Sequence, residues 1–244
     1  MSEPAALDDE DRAREPRALR VSEIFDSLQG EGINAGAPCR FVRLALCNLH
    51  CSYCDTKYTW DFERFEYAKE VREMSVAELA ERVTAAPSRH VVITGGEPLL
   101  QQPGLEAILA STPSGVFVEL ETNGTIMPTP SLLARVNQWN VSPKLSSAGD
   151  PLALRVRRSV LETLCNAERS YLKLVVTTKD DRDEAEALRA ELAWPKERTL
   201  LMPEATTSEL LARRSPAVAG FARGLGVRFS SRLHVALWGD RRGV

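Results

Sequence analysis

The sequence predicts an α/β fold built on a mainly parallel sheet, and three observations carry that prediction. Strand-like and helix-like stretches alternate along the 244 residues, the pattern of parallel strands joined by right-handed crossovers. Each Gly-rich or polar motif directly follows a predicted strand, where parallel α/β folds gather their function. Hydrophobic residues are 43% and charged residues 27%, ordinary values for a globular chain large enough to need no disulfide staples.

The elements follow in order. Residues 19–25 (LRVSEIF) alternate as a strand, and residues 26–38 (DSLQGEGINAGAP) are Gly-rich and aperiodic, hence a loop. Residues 40–46 (RFVRLAL) form a second strand, and Ser75 to Glu78 fits a capping box ahead of a helix. A strand at 90–93 runs into Thr94-Gly95-Gly96-Glu97-Pro98, and residues 103–111 are helical. The strand at 115–120 ends in Glu121-Thr122-Asn123-Gly124. A helix at 130–137 leads to a strand at 139–141 and then Ser142-Pro143-Lys144. Residues 151–166 read as one amphipathic helix, 171–176 as a strand, and 181–192 as a charged helix opened by Asp180 and Asp181. A strand at 198–202, a helix at 207–214 interrupted at Pro216, and a strand at 227–230 complete the series.

Charge is local. Residues 1–18 hold six acids against three arginines, and removing them leaves 28 charges of each sign. A binder of the nucleic-acid backbone would carry a basic stripe, so direct nucleic-acid binding is not expected. No apolar run approaches the ~18 residues of a membrane span, and the acidic N-terminus resembles neither a signal nor a transit peptide. The expectation is a cytoplasmic protein with a solvated acidic tail over 1–18 and one domain over 19–244.

Three of the five cysteines fall within eight residues, Cys47-Asn-Leu-His-Cys51-Ser-Tyr-Cys54. Three readings of this C-x3-C-x2-C loop stand. One is a structural zinc site, although no fourth Cys or His has suitable spacing and His50 adjoins Cys51 too closely. The second is a redox C-x-x-C pair with an extra thiol. The third is a 4Fe–4S cluster on three thiolates with one iron left open to a small molecule. Cys39 and Cys165 read as buried small hydrophobes.

The C-x3-C-x2-C loop with Tyr53 before its last cysteine, followed by Gly95-Gly96-Glu97-Pro98, resembles the radical S-adenosylmethionine superfamily. Within it, Leu28-Gln29-Gly30-Glu31-Gly32, Phe41-Val42-Arg43, Cys54-Asp55-Thr56, Glu121-Thr122-Asn123-Gly124 and Ser142-Pro143-Lys144 together resemble the 7-carboxy-7-deazaguanine synthases. The resemblance implies a partial parallel (β/α)6-type barrel of about six strands with an N-terminal strand extension. It also implies a lyase that contracts 6-carboxy-5,6,7,8-tetrahydropterin to 7-carboxy-7-deazaguanine with loss of ammonia, through an adenosyl radical and with S-adenosylmethionine regenerated. A 4Fe–4S cluster, S-adenosylmethionine and Mg2+ would be its cofactors, a flavodoxin or ferredoxin its electron donor, and a homodimer its assembly. Another radical enzyme, such as a protein-radical activase, and a non-catalytic iron–sulfur or zinc module are the alternatives.

The resemblance also assigns residues. Cys47, Cys51 and Cys54 would hold the cluster, and Thr56, a hard oxygen donor, the magnesium. Leu28, Gln29, Gly30 and Glu31, with Arg43, Thr94, Glu121 and His234, would bind substrate. Arg43 should face inward and Arg40, three residues away on the same strand, outward. Tyr53, Cys54, Asp55, Gly96, Glu97, Asn123, Ser142, Pro143 and Lys144, and more loosely Met202, Pro203 and Glu204, would contact S-adenosylmethionine, with Glu97 orienting its amino group. The Gly95-Gly96 pair is expected to let the ligand approach main chain. The last residues, from Trp238 to Val244, depart from shorter members of the family.

Overall fold

The computed structural model describes residues 18–244; the acidic tail therefore lies outside the described residues, apart from Ala18, which already pairs with Ser75. The strands are β1 (Ala18–Leu28), β2 (Pro38–Leu44), β3 (Arg72–Ser75), β4 (His90–Gly95), β5 (Phe117–Thr122), β6 (Gln138–Val141), β7 (Ser170–Val176), β8 (Thr199–Pro203) and β9 (Arg228–Phe229). They form one sheet in the order β3-β1-β2-β4-β5-β6-β7-β8-β9. Beyond β2 every pairing is parallel, while β1 runs antiparallel to both β2 and β3. Seven parallel strands therefore stand where about six were expected, the seventh being the two-residue β9.

The helices are α1 (Tyr67–Glu70), α2 (Val76–Thr84), α3 (Gln102–Ser111), α4 (Pro130–Arg135), α5 (Leu152–Arg155), α6 (Arg158–Cys165), α7 (Lys179–Glu191), α8 (Ser208–Leu225) and α9 (Leu233–Trp238). Local sequence signals set their ends. Ser75 accepts from the Glu78 N–H at the start of α2, and Thr178 and Asp181 form a reciprocal capping box on α7.

One strand was not expected, and two expectations are corrected. β3 carries no alternating apolar signal because only Met74 of its four residues is buried; its pairing with β1 makes it a strand. Residues 151–166 form two helices, α5 and α6, broken at Val156 and Arg157, which are extended. Pro216 does not interrupt α8, which runs on to Leu225. Pro216 is exposed, so the backbone carbonyl it leaves unbonded can meet water. Leu211, Val218 and Ala222 meanwhile bury one face across the break.

The sheet is covered on its outer face by helices, and its period of two divides the chemistry. Val118 and Leu120 of β5, Trp139 and Val141 of β6, and Leu172, Leu174 and Val176 of β7 belong to the apolar core. The alternate residues Glu119, Glu121, Gln138, Asn140 and Lys173 point to the inner face. The lower tier of that face is one polar network. Glu119, fully buried, accepts from Gln29 Nε2 at 2.6 Å and Asn34 Nδ2 at 2.8 Å, contacts His90 Nε2 at 2.9 Å, and also accepts from Asn140. It thus fastens both ends of the loop at 29–34 to the middle of the sheet.

The C-terminal strand ends are clamped together. Glu97, completely buried, accepts from the Leu99 N–H at 2.9 Å, the Asn123 N–H at 2.7 Å and the Thr122 hydroxyl at 3.0 Å. Burial raises its carboxyl from the ordinary 4.5 to about 6, and these hydrogen bonds hold it from rising further. Gly95 has φ +140°, and a Cβ there would lie 2.0 Å from the Leu44 carbonyl oxygen. At Gly96 a Cβ would lie 2.1 Å from the Leu46 oxygen. The close approach these glycines allow is thus to the chain's own backbone at the end of β2.

Gly95→Ala should cost more than about 2 kcal/mol of unfolding free energy in urea titration, because the clash is with backbone. Glu97 binds its proton more tightly folded than unfolded, so its contribution to stability falls as pH rises from 4.5 to about 6. Thr122→Val removes a hydrogen bond to the ionised form. The Glu97 titration, followed by carboxyl 13C NMR, should move above 6, and the falling limb of the urea stability–pH curve should move with it.

Candidate active site

The inner face opens at the C-terminal strand ends into a cavity of about 310 Å³. On one side stand Cys47, Cys51 and Cys54, packed with Leu49, Tyr53 and Ala148. The loop that carries them is tied to the sheet through Asn48: Asn123 Nδ2 donates to Asn48 Oδ1 at 3.0 Å, and Asn48 Nδ2 donates to the Thr125 hydroxyl at 2.8 Å. Burial pushes the Cys47 thiol up to about 12 and the Cys51 thiol up to about 11, so binding a metal here means releasing protons.

The donor set fits an open cluster. Among the described residues no three His, Cys, Asp or Glu side chains converge as ligands of one ion, yet the three thiols share one cavity wall. His50, the only histidine in the loop, does not line the cavity; its ring packs 4.9 Å from that of Trp60. Asn123, Ser142, Lys144, Met202, Pro203 and Glu204 line the same cavity. Tyr53 adds a buried hydroxyl without a described partner.

Much of the remaining lining is charged. Glu31 lies between Lys173, with which it pairs, and Arg232 Nε at 3.0 Å. Arg232 also pairs with Asp55, and Lys173 Nζ lies 3.5 Å from Glu121, which accepts from the Thr94 hydroxyl at 2.7 Å. Burial opposes the charge on Glu31, but Lys173 and Arg232 outweigh it and hold the carboxyl far below its usual range. Burial likewise opposes the charge on Lys173, and Glu121 and Glu31 keep the ammonium protonated. His234 is pushed down by burial toward neutral imidazole. Arg43 gives its Nε to Glu23 at 2.9 Å, while its terminal nitrogens hydrogen-bond to no described residue.

Most of the residues picked out from sequence meet in this cavity. Leu28, Gln29, Glu31, Arg43, Thr94, Glu121 and His234 line it, as do Thr56, Tyr53, Asp55, Gly96 and Asn123. Arg40 turns away and pairs with the half-exposed Asp26. Three of the residues stand behind the wall. Glu97 is the strand clamp. Pro143 lies between Ser142 and Lys144 without facing the space. At Gly30 a Cβ would sit 2.0 Å from His234 Nδ1, so this glycine makes room for the imidazole. Thr56 caps nothing through its side chain, and its hydroxyl lies 3.6 Å from Cys54 Sγ.

Several lining residues were not assigned from sequence. Lys173 is the one charge inside the apolar strand YLKLVV, a signal that was available. Arg232 adjoins His234. Glu23 and Tyr58 join Arg43, Tyr58 donating to Glu23 at 2.8 Å. Residues 239–244 also line the cavity, with Arg242 pairing to Glu23 and Glu70 and lying 3.6 Å over the Tyr58 ring; nothing in the sequence places them there.

Residues 43–143 match the model of the Radical SAM superfamily. The chain is 40% identical to a 7-carboxy-7-deazaguanine synthase of Pyrobaculum aerophilum over 227 residues, 92% of this chain and 97% of that protein. It is 37% identical to one of Halobacterium salinarum, over 91% of each. The crystal structure of QueE from Escherichia coli aligns with a TM-score of 0.66 at 27% identity, covering 89% of this chain and 95% of that one. Likeness at this level over nearly the full length of both partners settles the family: this chain belongs to the 7-carboxy-7-deazaguanine synthases, radical S-adenosylmethionine enzymes of 7-deazapurine biosynthesis.

Proposed function

We propose that this chain converts 6-carboxy-5,6,7,8-tetrahydropterin to 7-carboxy-7-deazaguanine with release of ammonia, and that S-adenosylmethionine is regenerated in each cycle. One observation carries the reading: a single cavity sets three cysteine thiols against Arg43, whose terminal N–H donors are free to meet a carboxylate. Cys47, Cys51 and Cys54 would hold the 4Fe–4S cluster. When bound, the cluster and S-adenosylmethionine supply the one-electron chemistry that starts the ring contraction.

The chain's own residues position and enclose. Arg43 is held by Glu23 so that its free edge receives the substrate carboxylate bidentately. Thr56, whose hydroxyl serves no cap, would supply a hard oxygen ligand for a magnesium ion. Lys173 stays protonated between Glu31 and Glu121 and helps hold the Glu31 carboxylate anionic. Neutral His234 can donate or accept at a heterocycle edge. Lys144, Ser142, Asn123 and Gly96 line the cavity and would contact S-adenosylmethionine. By resemblance the reading extends to a homodimer, a cytoplasmic location and a flavodoxin- or ferredoxin-type donor.

Reconstituted anaerobically with iron and sulfide, then given dithionite, S-adenosylmethionine, magnesium and 6-carboxytetrahydropterin, the protein should yield 7-carboxy-7-deazaguanine by mass spectrometry without net loss of S-adenosylmethionine. Stoichiometric consumption without that product would instead support another radical enzyme. Thr56→Ala should raise the magnesium concentration for half-maximal rate by about tenfold or more at unchanged iron content; an unchanged magnesium dependence would remove Thr56 as the ligand.

A further inference from the structure

Trp60 lies beside the cysteine loop and has no part in the roles assigned above. Its indole Nε1 donates a hydrogen bond to Cys54 Sγ at 3.4 Å. A second N–H to sulfur bond, from the Leu49 backbone to Cys47 Sγ at 3.5 Å, belongs to the main chain and comes with the loop itself. The Trp60 bond is made by a side chain, so the sequence can set it independently of the fold.

The local structure holds the donor in place. Residues 56–61 form a tight turn in which the Thr59 N–H reaches the Thr56 carbonyl at 2.9 Å, and the Trp60 and Asp61 N–H groups reach the Lys57 carbonyl at 3.0 and 2.7 Å. The turn is tied to the end of β2 by the Leu46 N–H on the Thr59 carbonyl at 2.7 Å. On its outer side Trp60 packs against the exposed His50 ring, centroids 4.9 Å apart. The indole is therefore fixed from the backbone below and by a ring beside it, with its one donor aimed at sulfur.

We propose that Trp60 sets the electron affinity of the cluster: its indole N–H, donated to the Cys54 sulfur, stabilises the reduced form and makes one-electron reduction easier. Reduction adds negative charge, much of it borne by the sulfurs. A donor on a ligand sulfur therefore favours the electron-rich state, one of the levers by which proteins tune iron–sulfur potentials. Trp60 lines the cavity next to Cys54, and the role inferred for it is to act through that sulfur as a positioning residue. The inference rests on the three-thiolate cluster proposed above.

The test is a dithionite titration of the reconstituted protein followed by electron paramagnetic resonance. Trp60→Phe keeps an aromatic ring beside His50 and removes the N–H together with one ring of the indole. The equilibrium constant for one-electron reduction should fall about tenfold, equivalent to ~59 mV for one electron, at wild-type iron content and spin count. A change of less than about twofold would overturn the proposal. Should the variant lose its cluster, wild-type protein carrying 15N-indole tryptophan gives the second reading. A 15N coupling to the reduced cluster in pulsed electron paramagnetic resonance is expected from Trp60, and its absence would overturn the assignment. A wild-type preparation that forms no 4Fe–4S cluster at all would instead bring down the ligand assignment, and this inference with it.

Discussion

A sheet covered on one face by helices and closed over a cavity on the other has no dry inner surface to spare, and every polar side chain pointing inward must find a partner. In this protein the inner face is mostly polar, and the requirement is met in two tiers. The lower tier is centred on Glu119, which draws Gln29, Asn34, His90 and Asn140 to one carboxylate. The upper tier alternates acids and cations, with Glu23 on Arg43, Glu31 between Lys173 and Arg232, and Arg232 on Asp55. The first tier holds the loop at 29–34 and the second presents charge to the cavity. On the proposed reading, the substrate carboxylate would meet Arg43 already oriented by Glu23, with little reorganisation left to do.

The cysteine loop depends on the same strand ends. Asn123, at the end of β5, reaches across to Asn48. The backbone at Gly95 and Gly96 is pressed against Leu44 and Leu46, where no side chain would fit. Glu97 joins the ends of β4 and β5 from beneath. The GGEP and ETNG motifs are therefore as much the scaffold of the thiol loop as the walls of the cavity.

Much of this was legible from sequence because it is periodic or local. Alternation found the parallel strands, the capping Ser75 found α2, the acids Asp180 and Asp181 marked the start of α7, and the motif order led to the cavity walls. What escaped depends on contacts made at a distance. β3 is a strand because β1 lies beside it. α8 continues through Pro216 because its buried face spans the break. Glu97 and Gly30 sit in functional motifs yet serve packing, which no spacing distinguishes. Lys173 was readable as a lone charge in an apolar strand, but its partners lie 142 residues away at Glu31 and 52 residues away at Glu121.

The final residues have a practical side. Gly239 through Val244 form part of the cavity wall, and Arg242 binds Glu23, the carboxylate that also orients Arg43. Any peptide fused after Val244 would leave from that wall, next to the cavity and to the arginine's support. An affinity handle for purification therefore belongs at the other end of the chain, and a preparation tagged or trimmed at this one would report on an altered pocket.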